Sequence, residues 1–474
     1  MRQLLAGQLV DVAAAAKGPP MSAIAPTAPP PRGPLDRFLR IFTDVHDGEG
    51  GQVLLLAFNI FLILTAYYVM KPVREALILA QPGGAEIKSY STAAQAVLFA
   101  VVVPAYGALA TRLPRRRLIN IVTAFFIACL PLFYLAAEAS LPVGIPFFLW
   151  IGAFSLMLIA QFWSYANDLY TPDAGKRLFA LVAFGASSGA VFGAFISSHL
   201  INALGVNELL LIAAAILAAS LMLFNFIDLR ASAGAAVRAP ASTKAAPGPP
   251  LGDGNAFALV LGSRYLLLVA ALIFLLNWVA ATGEYILSSI VSHAAQADVA
   301  AGRLAPEHEG AFIGAFYAGY FQVVNIAGML LQLFVVSRVV KYLGVRVAVC
   351  IVPVVAFSSY AVAALIPSLA IVRWVKTAEN SVDYSLQNTV AQMLYLPTTR
   401  EEKYKAKQVT DTFVVRAGDV LSSVTVLVGT SLLALSVKQF AMVNVVLVTL
   451  WFAVALLLGR EFQWRTTAKP GGAA

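Results

Sequence analysis

The chain of 474 residues is poor in charge and nearly devoid of cysteine. Charged residues make up 12% of it, against about 25% in an ordinary soluble domain, while 60% is hydrophobic and the mean hydropathy is +0.80. That balance cannot clothe a water-soluble fold in polar surface, so the chain reads as a polytopic membrane protein. Cys129 and Cys350 both lie inside apolar runs, which argues against a disulfide framework or a thiolate metal site and leaves them to packing. There is no histidine pair at metal spacing and no glycine-rich phosphate loop. No soluble segment is large enough for a nucleotide-binding domain, which excludes a primary ATP-driven pump. No enzyme chemistry, metal or cofactor is therefore expected. The alternation of period two that marks outer-membrane barrels is also missing. The first 50 residues lack a compact apolar core before a small-residue cleavage site, and read as a disordered cytoplasmic tail rather than a signal peptide. Within that tail "PLDRFLRIFTDV", residues 34 to 45, is expected to form a short interfacial helix.

What the chain does have is apolar runs long enough to span a bilayer, for which about 20 residues are needed. They fall near 52–80, 89–111, 118–137, 142–166, 178–201, 208–229, 264–291, 311–337, 346–366, 369–396, 412–435 and 438–459. The fold class expected is an all-α membrane protein of twelve transmembrane helices. The fourth, tenth and eleventh runs are interrupted or ended by Asp168, Arg373, Lys376, Asp383, Arg416 and Asp419.

The net charge of +9 is topological and does not point to nucleic acid. Arg115, Arg116, Arg117, Arg338, Lys341, Arg346, Lys403, Lys405 and Lys407 all fall in loops on one side. The opposite side carries only Lys71, Arg74, Lys88, Arg303 and Lys438, even with the first helix's own cations counted as loop. The positive-inside rule then puts both termini in the cytoplasm. Between the sixth and seventh runs, "RASAGAAVRAPASTKAAPGPPLGDGNAF", residues 230 to 257, is rich in Ala, Pro and Gly and lacks helical apolar periodicity. It divides the chain into a tail (1–50), a six-helix half (51–229), a cytoplasmic linker (230–263), a second six-helix half (264–460) and a final tail (461–474). Two six-helix halves joined this way make a major facilitator-like organisation, in which substrate binds between the halves at mid-membrane.

The first run carries charges at its centre, in "YYVMKPVREALILA", residues 67 to 80. Because the apolar sequence resumes after them, the helix is expected to continue through Pro72. At 100° per residue Tyr67, Lys71, Arg74 and Ile78 share one face, with Glu75 at its margin. Charges at membrane depth cost at least ~2.5 kcal/mol each on insertion scales, so they should meet a partner or a water-filled cavity. Two cations against one anion favour a small anionic substrate, which Arg74 could grip in bidentate fashion. The competing reading is an interfacial salt-bridge cluster with Lys71 and Arg74 snorkelling outward. Glu284 is a lone acid deep in the seventh run, suited either to carry a coupling proton or to pair with a base on another helix. In the tenth, Arg373, Lys376, Asn380, Asp383 and Gln387 lie within roughly an 80° arc, with Glu379 just off it. That polar stripe is expected to line a cavity. Arg416 and Asp419 stand one turn apart and can satisfy each other. "FGASSGAVFGAF", residues 184 to 195, is a small-residue run that suits close helix packing.

Three blocks resemble a known family. "YYVMKPVREALILAQPGGAEIKSY", "FWSYANDLYTPDAGKRLFALVAFGAS" and "DYSLQNTVAQMLYLPTTREEKYKAKQVTDTFVVRAGD" are similar, in order, to the ATP/ADP translocases of bacteria and plastids. The resemblance implies a twelve-helix exchanger of nucleotides such as ATP and ADP, here in a bacterial inner membrane. It implies substrate recognition by intramembrane charges at Lys71, Arg74, Glu75 and Glu284. The sequence departs from the family at Asp383, Ala391 and Asp419, where the translocases carry lysines, and Arg373, Lys376 and Arg416 are the cations nearest to compensate. Two other readings stay open at this point. One is proton-coupled transport of an organic anion with Glu284 as carrier; the other is a membrane scaffold or lipid-associated protein that does not transport.

Overall fold

The computed structural model describes His46 and residues 49–238 and 255–467. The interfacial helix expected at 34–45 and most of the linker lie outside the described residues. Helices joined by short turns make up the described chain, with no strand among them.

The first half comprises α1 (Gly50–Leu79), α2 (Gly84–Arg112), α3 (Arg115–Glu138), α4 (Gly144–Leu169), α5 (Pro172–Leu204) and α6 (Glu208–Arg238). Helix α1 passes through Pro72 and the three charges without a break, as the apolar residues on both sides require. The turn into α2 is made at Gly83, whose φ of 68° is left-handed and suits glycine. The second half begins with α7 (Arg264–Ala300). Helix α8 (309–343) runs from Glu309 through a π-helical turn at Gln332–Val336, and Gly344, at φ 72°, separates it from α9 (345–365). Helix α10 (369–393) is Leu369–Val382 continued by a π-helical turn at Asp383–Gln387. Helix α11 (400–431) likewise holds a π-helical turn at Thr410–Val414, and α12 is Val437–Thr467.

Ten helices among the described residues are long and apolar enough to cross a membrane. One of these is the stretch Pro306–Leu365, 60 residues long, which holds both α8 and α9. Helix α10 falls outside the ten because its charges lower its hydropathy, so the architecture is twelve membrane helices in two halves of six. The edges of the linker differ from the sequence reading. Helix α6 runs on to Arg238, and Ala256–Gly262 forms a short helix capped by Asn255, which accepts the Phe257 N–H at 3.0 Å. Seven residues are too few for an apolar period to show. The last helix extends to Thr467, past the expected end of the second half.

There are two apolar cores, one within the first half and one built mainly on the second half that also takes in Tyr68, Ile78, Leu79 and Phe148 of the first. One is built around Val53, Leu56, Phe126, Phe147 and Phe154, the other around Tyr265, Val349, Tyr360 and Trp451. Helix α5 lies along α1 through Gly185, Gly189 and Gly193, where an added Cβ would collide with the carbonyl oxygens of Ala57, Phe61 and Thr65. The small-residue run is thus a packing seam. Between the halves α5 packs on α8 and α2 on α11, with α1 against α8 and α7 against α2. Among the described residues, Asn325 and Ser198 join α8 and α5 by hydrogen bonds, and the others that join the halves gather where α1 ends and α2 begins, on the side of the membrane opposite the linker. Ser292 donates to the Leu79 carbonyl (3.1 Å), Tyr285 to Glu86 (3.0 Å) and Ser423 to the Ser89 carbonyl (2.6 Å).

Candidate functional site

Midway along α7, beside the second half of α1, the two six-helix halves part around a cavity of about 330 Å³. Its walls come from α1 (Tyr67, Lys71, Arg74), α2 (Lys88, Thr92, Gln95), α7 (Asn277, Glu284), α10 (Asn380, Asp383, Tyr384) and α11 (Asp419, Ser422), among others.

Lys71 is only 8% exposed. Its Nζ lies 4.3 Å from the ring centroid of Phe321 and 4.9 Å from that of Tyr68, and it makes no ion pair among the described residues. Aromatic faces attract a cation without neutralising it. Arg74 donates from Nε to Glu75 at 3.0 Å and stacks over Phe148 at 4.9 Å. Glu75 is fully buried behind the wall, and its second oxygen lies 2.7 Å from Lys88 Nζ. Lys88 also donates to Ser288 (2.9 Å) and stands 3.6 Å from Glu284. Glu284 accepts from Asn380 at 3.3 Å, and Asn380 donates in turn to Tyr320 at 2.7 Å. Arg74, Glu75, Lys88, Glu284 and Asn380 therefore form one charged chain running from the first half into the second. Low dielectric strengthens each of its links.

Of the nine residues expected at the site, Lys71, Arg74, Glu284, Asp383 and Asp419 line the cavity, and Glu75 backs it. Three do not line it. Lys376, 2% exposed, is turned away into an ion pair with Glu379 at 3.0 Å, and the hydroxyl of Tyr360 joins the two. Arg373 lies ten residues before Asp383, about 15 Å of helix rise, and packs on Phe316 and Trp374. Arg416 donates to Asp419 at 2.8 Å, as their spacing predicted, but stacks over Phe99 beside the cavity. The polar stripe on α10 thus meets the cavity only at Asn380 and Asp383. Its last member, Gln387, is buried without a side-chain partner among the described residues.

Lys88 was expected in a loop; it lies instead on α2, 6% exposed, at the centre of the charged chain. The glycine pair before it ends the turn earlier than the apolar run begins. A helical signal was nonetheless present, since Lys88, Thr92 and Gln95 follow the i, i+4, i+7 pattern and all three line the cavity. No group of His, Cys, Asp and Glu among the described residues is arranged to hold a metal ion.

The profile of the TLC ATP/ADP transporter family matches residues 32–137 and 148–462, most of the chain. The protein belongs to that family. This TLC transporter is a secondary membrane transporter with a multi-pass helical body. It is 26% identical over 530 residues to ADP,ATP carrier protein 1 of Chlamydia muridarum, with 94% of each chain covered. The same-named carrier of Chlamydia trachomatis is 26% identical over 473 residues, covering 83% of this chain and 84% of that one. Among solved structures, the nucleoside transporter NupG superposes with a TM-score of 0.56 at 14% identity, covering 88% of this chain and 100% of that one. A bacterial homologue of the iron transporter ferroportin, in an inward-facing state, gives 0.58 at 14% identity, with 86% and 98% covered. At such identities these likenesses establish the shared fold, which is major facilitator-like.

Proposed function

We propose that this TLC transporter exchanges a nucleotide of the ATP/ADP type, or a related organic anion, by alternating access in a bacterial inner membrane with both termini cytoplasmic. The observation that carries the reading is the convergence of Lys71, Arg74 and Lys88, from two helices of one half, on a single mid-membrane cavity whose other wall belongs to the second half. A phosphate or carboxylate there would be met by one cation free of carboxylates among the described residues and two already oriented by Glu75. Tyr67, Phe148, Phe321 and Tyr384 supply flat faces on which a base can stack. The Chlamydia relatives, named as ADP,ATP carriers, support a nucleotide as the first anion to try. Rocking of one half against the other would open the cavity alternately to the two sides.

The test is counterflow in proteoliposomes. Purified protein loaded inside with ATP should take up labelled ADP saturably. A screen of nucleotides, phosphorylated metabolites and carboxylates that finds no saturable uptake of any anion refutes the reading.

A further inference from the structure

The charges around the cavity are paired, with two exceptions. Arg74, Glu75, Lys88 and Glu284 form one chain of opposite charges, Arg416 satisfies Asp419, and Lys376 satisfies Glu379. Lys71 on α1 and Asp383 on α10 line the same cavity, and among the described residues neither makes an ion pair or a side-chain hydrogen bond. Nor do they reach each other, although each could neutralise the other if they did. The Lys71 ammonium is held among the rings of Tyr68 and Phe321, and Asp383 is fixed at the first residue of the π-helical turn of α10.

Burying an uncompensated charge is unfavourable, so a cavity that holds one of each sign apart is complementary to a ligand that carries both. We propose that the transported molecule is an organic acid bearing a nitrogen donor, with its phosphate or carboxylate on Lys71 and its amino group on Asp383. Such a ligand bridges α1 of one half and α10 of the other, so its binding ties the two halves together. The neighbours of Asp383 fit this role. Asn380, one turn before it, is committed to Glu284 and Tyr320, and Glu284 is occupied by Lys88. Asp383 is then the acceptor left for a ligand N–H. A bare polyanion would set its own charge against Asp383, Glu284 and Asp419 together. The inference rests on the reading of this cavity as an organic-anion site and specifies which anions it selects.

Probe pairs that differ in one amino group test it: ADP against purine riboside 5′-diphosphate, which carries hydrogen in place of the 6-amino group, and phosphoethanolamine against ethyl phosphate. Each competes for uptake of whichever labelled anion the wild-type protein exchanges. The amino member of at least one pair should compete roughly tenfold better or more, because a buried acceptor discriminates strongly against a ligand that leaves it unpaired. D383N should weaken the amino member, strengthen its counterpart and bring the two together, while K71Q weakens both members alike. Melting temperatures measured without ligand separate these effects from misfolding, and D383S serves if D383N does not fold. Equal competition by both members of both pairs overturns the inference and leaves the anion reading standing. So does restoration of the deaminated probes by Mg²⁺ alone. Uptake of deaminated probes that depends on a pH gradient in wild type, and not in D383N, would make Asp383 a proton site and overturn it as well. Absence of any anion uptake overturns both readings.

Discussion

Lys88 on α2 and Glu284 on α7 face each other at 3.6 Å, and among the described residues theirs is the ion pair that joins the two halves. Lys88 is held more closely, at 2.7 Å, by Glu75 of its own half. Removing the lysine leaves the fully buried Glu75 to Arg74 alone and Glu284 to its hydrogen bond from Asn380, whereas removing Glu284 leaves Lys88 its nearer partner. Lys88→Gln should therefore destabilise the protein by about 3–5 kcal/mol, and Glu284→Gln by less. Thermal unfolding in detergent gives the order. If the glutamate variant melts lower, the lysine is not the hub of the chain.

Arg74 combines a bond to Glu75, stacking on Phe148 and a place on the cavity wall. Arg74→Lys keeps the charge and loses the planar fork. It should insert and fold normally while weakening substrate binding by about 1–3 kcal/mol. Unchanged affinity, measured by ligand-induced shift of the melting temperature, would mean that Arg74 only orients Glu75.

The α1–α5 seam makes a steric prediction. Gly189→Val drives a side chain into the Phe61 carbonyl, whereas Gly107→Val on α2 meets nothing within 4 Å. Overpacking of this kind costs about 1–3 kcal/mol, occasionally more. The yield of monodisperse protein on size-exclusion chromatography should drop for the first variant and hold for the second. A tolerated Gly189→Val would show that the halves of the seam can spread.

Lys376 and Glu379 are placed for structure rather than for substrate. Either residue replaced alone strands a buried charge and should destabilise by about 3–5 kcal/mol, while Lys376→Met combined with Glu379→Leu should recover most of that loss. Anion selectivity in the double variant should match wild type; a changed ranking of substrates would return Lys376 to the site.

The sequence reading and the structure diverge most on α10. Its five polar residues share one arc, and periodicity treats an arc as one environment. In the folded protein the cavity touches that arc only over about one turn, so Asn380 and Asp383 face it while Arg373 packs on aromatic rings and Gln387 is enclosed. The adjacent Glu379 captures Lys376. Lys88 shows the converse. A hydropathy window begins a span where apolar residues begin, but α2 starts five residues earlier, at Gly84, because its first turn is held by Gly83 and the end of α1.

The amino-acid sequence by itself determined the twelve spans, the division into halves and the continuity of α1 through its charges. Each of these follows from local hydrophobicity or from a contiguous linker, properties that a bilayer reads one segment at a time. The tertiary structure alone decided which charges cancel. Arg416 and Asp419, three residues apart on one helix, could be paired from their spacing. Lys88 and Glu284 are 196 positions apart (284 less 88) and meet because α2 and α7 pack across the interface. Among the described residues, Lys71 and Asp383 remain uncancelled because that same packing brings them to one cavity without bringing them into contact. Coulomb energy in a low-dielectric interior depends on separations of a few ångströms, and such separations between distant segments are set only when the helices dock.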